Sequence, residues 1–500
     1  MEITFETKSV EAFHEGFHQI KRTQLSMESV VPDVCDDIGR LLCIQPCVFL
    51  KSKDLTAYGA TVGGELTAAL LYINEAGERI FDLHLSQSFS LDFEMAEPDP
   101  ELLTQVRLFV VNTESRALNP RKVAVTVELG GELFAYRRAE TRIAVLPPPL
   151  EDVRVYSKTE KTKQLLINAV TEKTFVLNEQ FAFPSGKAAP ERLASTRAEF
   201  RVADCQLVGS KALIKGMLKI SCCYLSDEGG RPVTADFSAP FSQLVDLGQE
   251  ELDAASVHIE ANSAYYSLID LMSGEKALDA EIHAVAQLVC RAEQSVETVS
   301  DAYCNRMPSE LHFETLRFAG DAGERILPLS ADERLELPED CADLLNVFPS
   351  LSQSRLEQGR AELNVVLDVL YKNKSGALLA FRRLLALSGD CPSESAQLCR
   401  VMLTDCSFRP EGGTLAVRIG AEMLYAERSE TAIPCVSSIL LDEDAVCDSA
   451  KLPAYTAVRV DHESVWDLAK SYHSSCEAIE ANNELEGPLQ GKMLLIPKCM

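Results

Sequence analysis

Three stretches of this chain carry the same strand signature, and they constrain its fold more than any other feature. "GELTAALLYINEAGERI" from Gly64 is matched by "GMLKISCCYLSDEGGRPV" from Gly216 and, more loosely, by "LNVVLDVLYKNKSGALLAF" from Leu363. Each ends an alternating strand on a tyrosine and places a glycine five residues later: Tyr72 with Gly77, Tyr224 with Gly229, Tyr371 with Gly376. The tyrosines lie 152 and 147 residues apart. The repeating unit is therefore a domain of about 150 residues, large enough for one core. The first two copies share Phe-Ser, at Phe89-Ser90 and Phe241-Ser242, and the first and third share a lead-in, "VPDVCDDI" from Val31 and "LPEDCADL" from Leu337.

Leu66, Ala68, Leu70 and Tyr72 alternate with more polar neighbours, as do Leu218, Ile220, Cys222 and Tyr224, and a period of two buries one face of a strand. The glycines, set in "NEAG", "SDEG" and "NKSG", supply the positive φ of a hairpin turn. A second strong strand follows each copy's first, at 122–129, 278–290 and 414–425. Regularly spaced alternating strands predict antiparallel β-sandwich-like units. One short helical turn per unit is expected at most, opened by the prolines of "VPDVC" and "LPEDC". The repeat sets boundaries at 1–150, 151–304 and 305–449, and "LPPPL" at 146–150 is a stiff break closing the first copy.

From Tyr455 the pattern changes. "YTAVRV" reads as a strand, "SVWDLAKSY" and "SCEAIEANN" as helices capped by Ser464 and Ser475, and "KMLLIP" as a closing strand, with Asp467 completing a loose capping box. The expected architecture is mainly β: three repeated sandwich-like domains and a small C-terminal βααβ domain at 455–498. Such a chain offers surfaces for docking and no pocket built for reaction.

Composition limits the partners. Against 48 basic residues stand 76 acidic ones, a net charge of −28 that argues against nucleic acid, whose binding depends on Lys and Arg. "MEITFETKSVEAFHEGFH" lacks a cationic lead and an apolar run of export-signal length, and no window is apolar enough to span a bilayer. Sixteen dispersed cysteines without a CxxC suit reduced thiols in a cytoplasmic protein. "HEGFH" at 14–18 matches the HExxH pattern of zinc peptidases, but Gly16 weakens the helix this needs and no third ligand suggests itself. The other histidines, His258 among them, are spread singly, and no Gly-rich loop ends in Lys-Ser or Lys-Thr. No catalytic residue, metal or cofactor is expected.

The tail is similar to the LysM family, through "YTAV", "VWDLAKSY", "CEAIEANN" with Asn482, and "LQGKMLLIP". It departs at His462-Glu463-Ser464, where the family has Gly-Asp-Thr, and Glu484 and Glu486 make the second loop acidic. The "YINEAGERI" turn, the Phe-Ser that follows and "RALNPRKVAV" from Arg116 resemble the SPOCS domain. Several SPOCS-like copies followed by one LysM resemble the spore-coat morphogenetic proteins of the SipL type. That resemblance implies a non-enzymatic scaffold in the mother-cell cytoplasm at the forespore surface. Its implied partner is the coat basement-layer ATPase, stage IV sporulation protein A; peptidoglycan, through N-acetylglucosamine chains, is the alternative. Trp466, Tyr472, Ile479, His462 and Glu484 are the expected partner-binding residues.

Overall fold

The computed structural model describes every residue except 149–152, 228–229, 273, 448–451, 486 and 500. The proline break after Pro148, the boundary at 449, Gly229 and Glu486 therefore lie outside the described residues. Strands hold 76 % of the chain and helices 3 %, so the fold is mainly β.

The first segment contains β2 (Glu6–Val30), β3 (Ile38–Thr56), β4 (Gly59–Asn74), β5 (Ile80–Glu94), β6 (Leu103–Asn119) and β7 (Lys122–Leu146). They pair antiparallel as β3-β4-β5 and β2-β7-β6. The same order recurs in β8 (Val155–Ala182), β9 (Pro190–Val208), β10 (Lys211–Ser226), β11 (Pro232–Asp246), β12 (Ala254–Asp270) and β13 (Lys276–Cys304). It recurs again in β14 (Ser309–Glu336), β15 (Cys341–Glu357), β16 (Arg360–Asn373), β17 (Leu378–Asp390), β18 (Ala396–Glu411) and β19 (Thr414–Leu441). In each segment the inner faces of the two sheets enclose a separate apolar core.

The tyrosines fix each core to its lead-in. Tyr72 and Tyr224 donate their hydroxyls to the carbonyls of Asp36 (3.0 Å) and Ala188 (2.9 Å), and Tyr371 accepts from the Glu339 N–H (3.3 Å). All three rings are fully buried, and the bond satisfies the one polar atom each carries inside. Gly77 and Gly376 turn their hairpins at φ 73° and 83°. The shared phenylalanines have a packing reason too: Phe89 lies over Gly64 and Phe241 over Gly216, leaving no room for a Cβ on either glycine. The "VPDVC" lead-in forms a turn, Cys35 N–H to Pro32 O at 2.9 Å, and not a helix. Arg121 clamps it, donating to the carbonyls of Cys35 (2.8 Å) and Val31 (3.0 Å) and to Asp37 (2.9 Å).

What joins the segments is a change of pattern within single strands. β4 and β10 alternate along most of their length, then bury both faces at "LLYIN" and "CCYLS". Each tyrosine points into its own core, while its predecessor points the other way: Leu71, Cys223 and Leu370 meet in one cluster with Leu42, Cys43 and Phe348. Elsewhere the long strands of all three segments share a second cluster, Ala12, Ile143, Leu166, Val296, Leu316, Phe318 and Cys435. β1 (Glu2–Thr4) adds to β19 in the third segment's sheet. Polar clasps cross the same boundaries, among them Arg192 to Asp82 (2.6 Å) and Arg201 to Glu422 (2.7 and 2.9 Å).

The tail pairs β20 (Tyr455–Arg459) with β21 (Met493–Pro497), and between them lie α1 (Val465–Ser471) and α2 (Cys476–Ala481). Ser464 and Asp467 form a full capping box on α1, and Ser475 caps α2.

Candidate functional site

The tail divides the expected partner-binding residues into two sets. Ile479 is fully buried in the tail's core with Leu468, Ala469 and Leu494. Trp466 is half-buried and turned toward the second segment. Its indole N–H donates to Asp301 Oδ2 at 2.7 Å, and its ring meets Tyr303 edge-on with centroids 4.9 Å apart. Lys470 shares Asp301, at 2.7 and 2.9 Å, and the Tyr303 hydroxyl donates to Ser474 O at 3.0 Å. Trp466 thus seats the tail on the end of β13, and neither it nor Ile479 faces outward.

Tyr472, His462 and Glu484 do reach the surface. Tyr472 ends α1 and is 38 % exposed, and the His462 side chain is 81 % exposed. The His462 loop folds about Glu463, whose carboxylate accepts the backbone N–H groups of Asp461 (2.9 Å) and His462 (3.1 Å). Backbone N–H groups, first its own and then those of Asp461 and His462, hold the Glu463 carboxyl below the usual carboxylate range.

Contrary to the expectation of surfaces alone, the three segments also border a partly open cavity of about 1850 Å³ where ionisable side chains converge. Its wall includes β6, β12 and β18, the outer strand of one sheet in each segment. All three strands carry a bulge at a matching place, after Val110, Ala261 and Leu403. Three residues before each bulge stand Arg107, His258 and Arg400, and all three line the cavity. The positive charges of Arg107 and Arg400 are felt at His258, and those of Arg197 and Arg107 at Arg400.

Each member has a distinct setting. Arg107 is only 8 % exposed, lies over the Phe134 ring, and has Glu132 Oε2 3.6 Å from its Nη1. Its Nε and Nη1 have no hydrogen-bond acceptor. His258 Nε2 lies 2.7 Å from Glu260 Oε1; burial pushes its pKa down, with Glu260 opposing. Arg400 faces Glu199 at 3.7 Å, and burial lowers its pKa. Beside them, burial pushes the Cys399 thiol up to about 11, which leaves it protonated and a poor nucleophile at neutral pH. The two guanidiniums can only donate hydrogen bonds.

Sequence reasoning places His258 among single histidines and does not find Arg107 or Arg400, because only the three-way packing brings them together. The "HEGFH" stretch lies within strand β2, not on a helix, with His18 Nε2 2.8 Å from Glu132. Among the described residues, no group of three or more His, Cys, Asp and Glu side chains could hold a metal, and no helix is long and apolar enough to cross a membrane. No family model, no curated protein and no solved structure matches this chain.

Proposed function

We propose that the chain is a non-enzymatic scaffold of spore-coat assembly, built from three SPOCS-like domains and a LysM domain. It links the coat basement-layer ATPase, stage IV sporulation protein A, to the forespore surface from the mother-cell cytoplasm. The observation that carries this reading is the seating of the tail. Asp301 and Tyr303 hold one side of it, which leaves Tyr472, His462 and Glu484 at its surface. The recurrence of one strand order in three segments gives further support, since joined β units suit a spacer with several docking faces.

Removing the tail would uncover Tyr303 and Tyr156, which stack at 5.2 Å, so surface substitutions make the cleaner test. The variant Tyr472→Ala/His462→Ala/Glu484→Ala should keep the wild-type melting temperature and lose capture of the purified coat ATPase by at least about tenfold, the equivalent of 1.4 kcal/mol. Undiminished capture by this variant would refute the docking role. Saturable binding of N-acetylglucosamine oligomers, lost in the same variant, would replace the scaffold with a peptidoglycan-binding protein.

A further inference from the structure

We infer that the chamber between the segments binds a small, multiply charged oxyanion, a ligand bearing phosphate or carboxylate groups, at the ring of Arg107, His258 and Arg400. Charge distribution gives the first argument. The chain as a whole has 76 acidic and 48 basic residues, yet eight Lys and Arg line the cavity against six Asp and Glu. Most of these basic groups lie on the exposed rim, and Arg107 and Arg400 are the two set deeper, where a charge is screened least.

The second argument concerns donors and acceptors. Two carboxylates near the ring are already engaged: Glu132 Oε1 lies 2.8 Å from His18, and Glu260 Oε1 accepts from the Leu108 N–H at 3.1 Å and lies 2.7 Å from His258. What remains for the guanidiniums is long, 3.6 Å at Arg107 and 3.7 Å at Arg400. Arg107 Nε and Nη1 are buried without a geometric hydrogen-bond acceptor, their neighbours being the Cys399 sulfur and the charges of Glu132 and Glu324. A buried donor of this kind calls for a partner, and a guanidinium fork matches the oxygens of a phosphate or carboxylate. Arg197 adds a further positive charge close to Arg400.

Position gives the third argument. The ring residues come from matching ladder positions on three strands of three segments, so a ligand between them is held from three sides. The cavity exceeds the roughly 300–1,000 Å³ usual for small-molecule sites, so the ligand occupies the part nearest the ring. The acidic exterior opposes entry, but at physiological salt that repulsion decays over about 8 Å.

The full-length protein should be titrated calorimetrically with inorganic pyrophosphate and, separately, with citrate. Saturable binding of at least one is expected, weakened about tenfold or more in Arg400→Gln, given the strength of charge-assisted hydrogen bonds. Arg107→Gln should behave alike if its circular dichroism is native; Arg400, the less buried of the two, keeps the test open if it does not. Arg418→Gln is the control, because that rim side chain is 72 % exposed, and it should bind as the wild type does. Binding of pyrophosphate alone assigns a phosphorylated ligand, and binding of citrate alone a carboxylate. Absence of saturation with both probes, or equal binding by wild type and Arg400→Gln, would overturn the assignment. Neither result bears on the tail's docking role.

Discussion

Two places where the three segments meet were built by opposite means. At the apolar cluster, Leu71, Cys223 and Leu370 close on one another and are almost wholly buried. At the ring, Arg107, His258 and Arg400 also occupy matching positions, yet they border a cavity. The difference teaches what threefold recurrence does to each kind of side chain. Apolar contact has no direction or sign, so leucine and cysteine can share a centre and gain from every neighbour. The two guanidiniums repel and each needs an acceptor, and the buried imidazole between them is held uncharged, so this arrangement gains nothing from close approach. The apolar cluster supplies cohesion; the ring does not.

The largest expected effect tests the cohesive side. Leu370 is 2 % exposed, and Leu370→Ala should destabilise the protein by about 2–5 kcal/mol, the range for buried leucines. Urea denaturation would measure it. A loss well under that range would mean that the segments stand largely without their shared centre, and the contrast with the ring would lose its force.

A smaller effect is expected between the two places. Gln287, paired with His258 across the β12–β13 ladder, faces the first segment with an amide that donates to Val106 O at 2.8 Å and accepts from Val106 N–H at 2.9 Å. Both bonds are buried. Gln287→Ala should cost about 1–3 kcal/mol, because it strands a buried donor and a buried acceptor on Val106. Hydrogen exchange at the Val106 amide should rise in the variant. An unchanged rate would show that water replaces the glutamine without loss.

The mainly β class was legible because period-two alternation survives wherever a strand faces one core, as at Leu66 to Leu70. The turn glycines Gly77 and Gly376 and the Ser464 cap were legible for the same reason: each is a local rule. Cys222, which alternation places on the buried face, lies in the second segment's core, and Cys223 on the opposite face lies in the shared cluster. That division was latent in the uninterrupted apolar run around them. The inward turn of Trp466 and the convergence at the ring were not legible, since both depend on contacts between residues more than a hundred positions apart. Local pattern specifies elements; the docking of one segment on another is settled by faces whose partners lie far along the chain.

The smallest expected effect sharpens the view of the ring. His258 has its pKa lowered first by burial, with Arg107 and Arg400 adding and Glu260 opposing, so at neutral pH the folded protein holds it uncharged. The unfolded chain takes up that proton near the ordinary value of 6.5. Between the two values the unfolded state binds more protons, so stability rises with pH across that window. The contribution is complete above pH 6.5 and is lost as pH falls toward the folded value. His258→Gln removes it, so the stability difference between wild type and variant should shrink on going from about pH 7.5 to about pH 5.5, which straddles the ordinary histidine pKa. Taking the difference cancels the carboxylates that titrate in both proteins. Saturating pyrophosphate or citrate should reverse the trend if the ring holds an oxyanion, because a bound anion favours the charged imidazole. A pH-independent difference, with and without the anion, would mean that His258 titrates as it does in water and that the ring lacks the buried field argued for it.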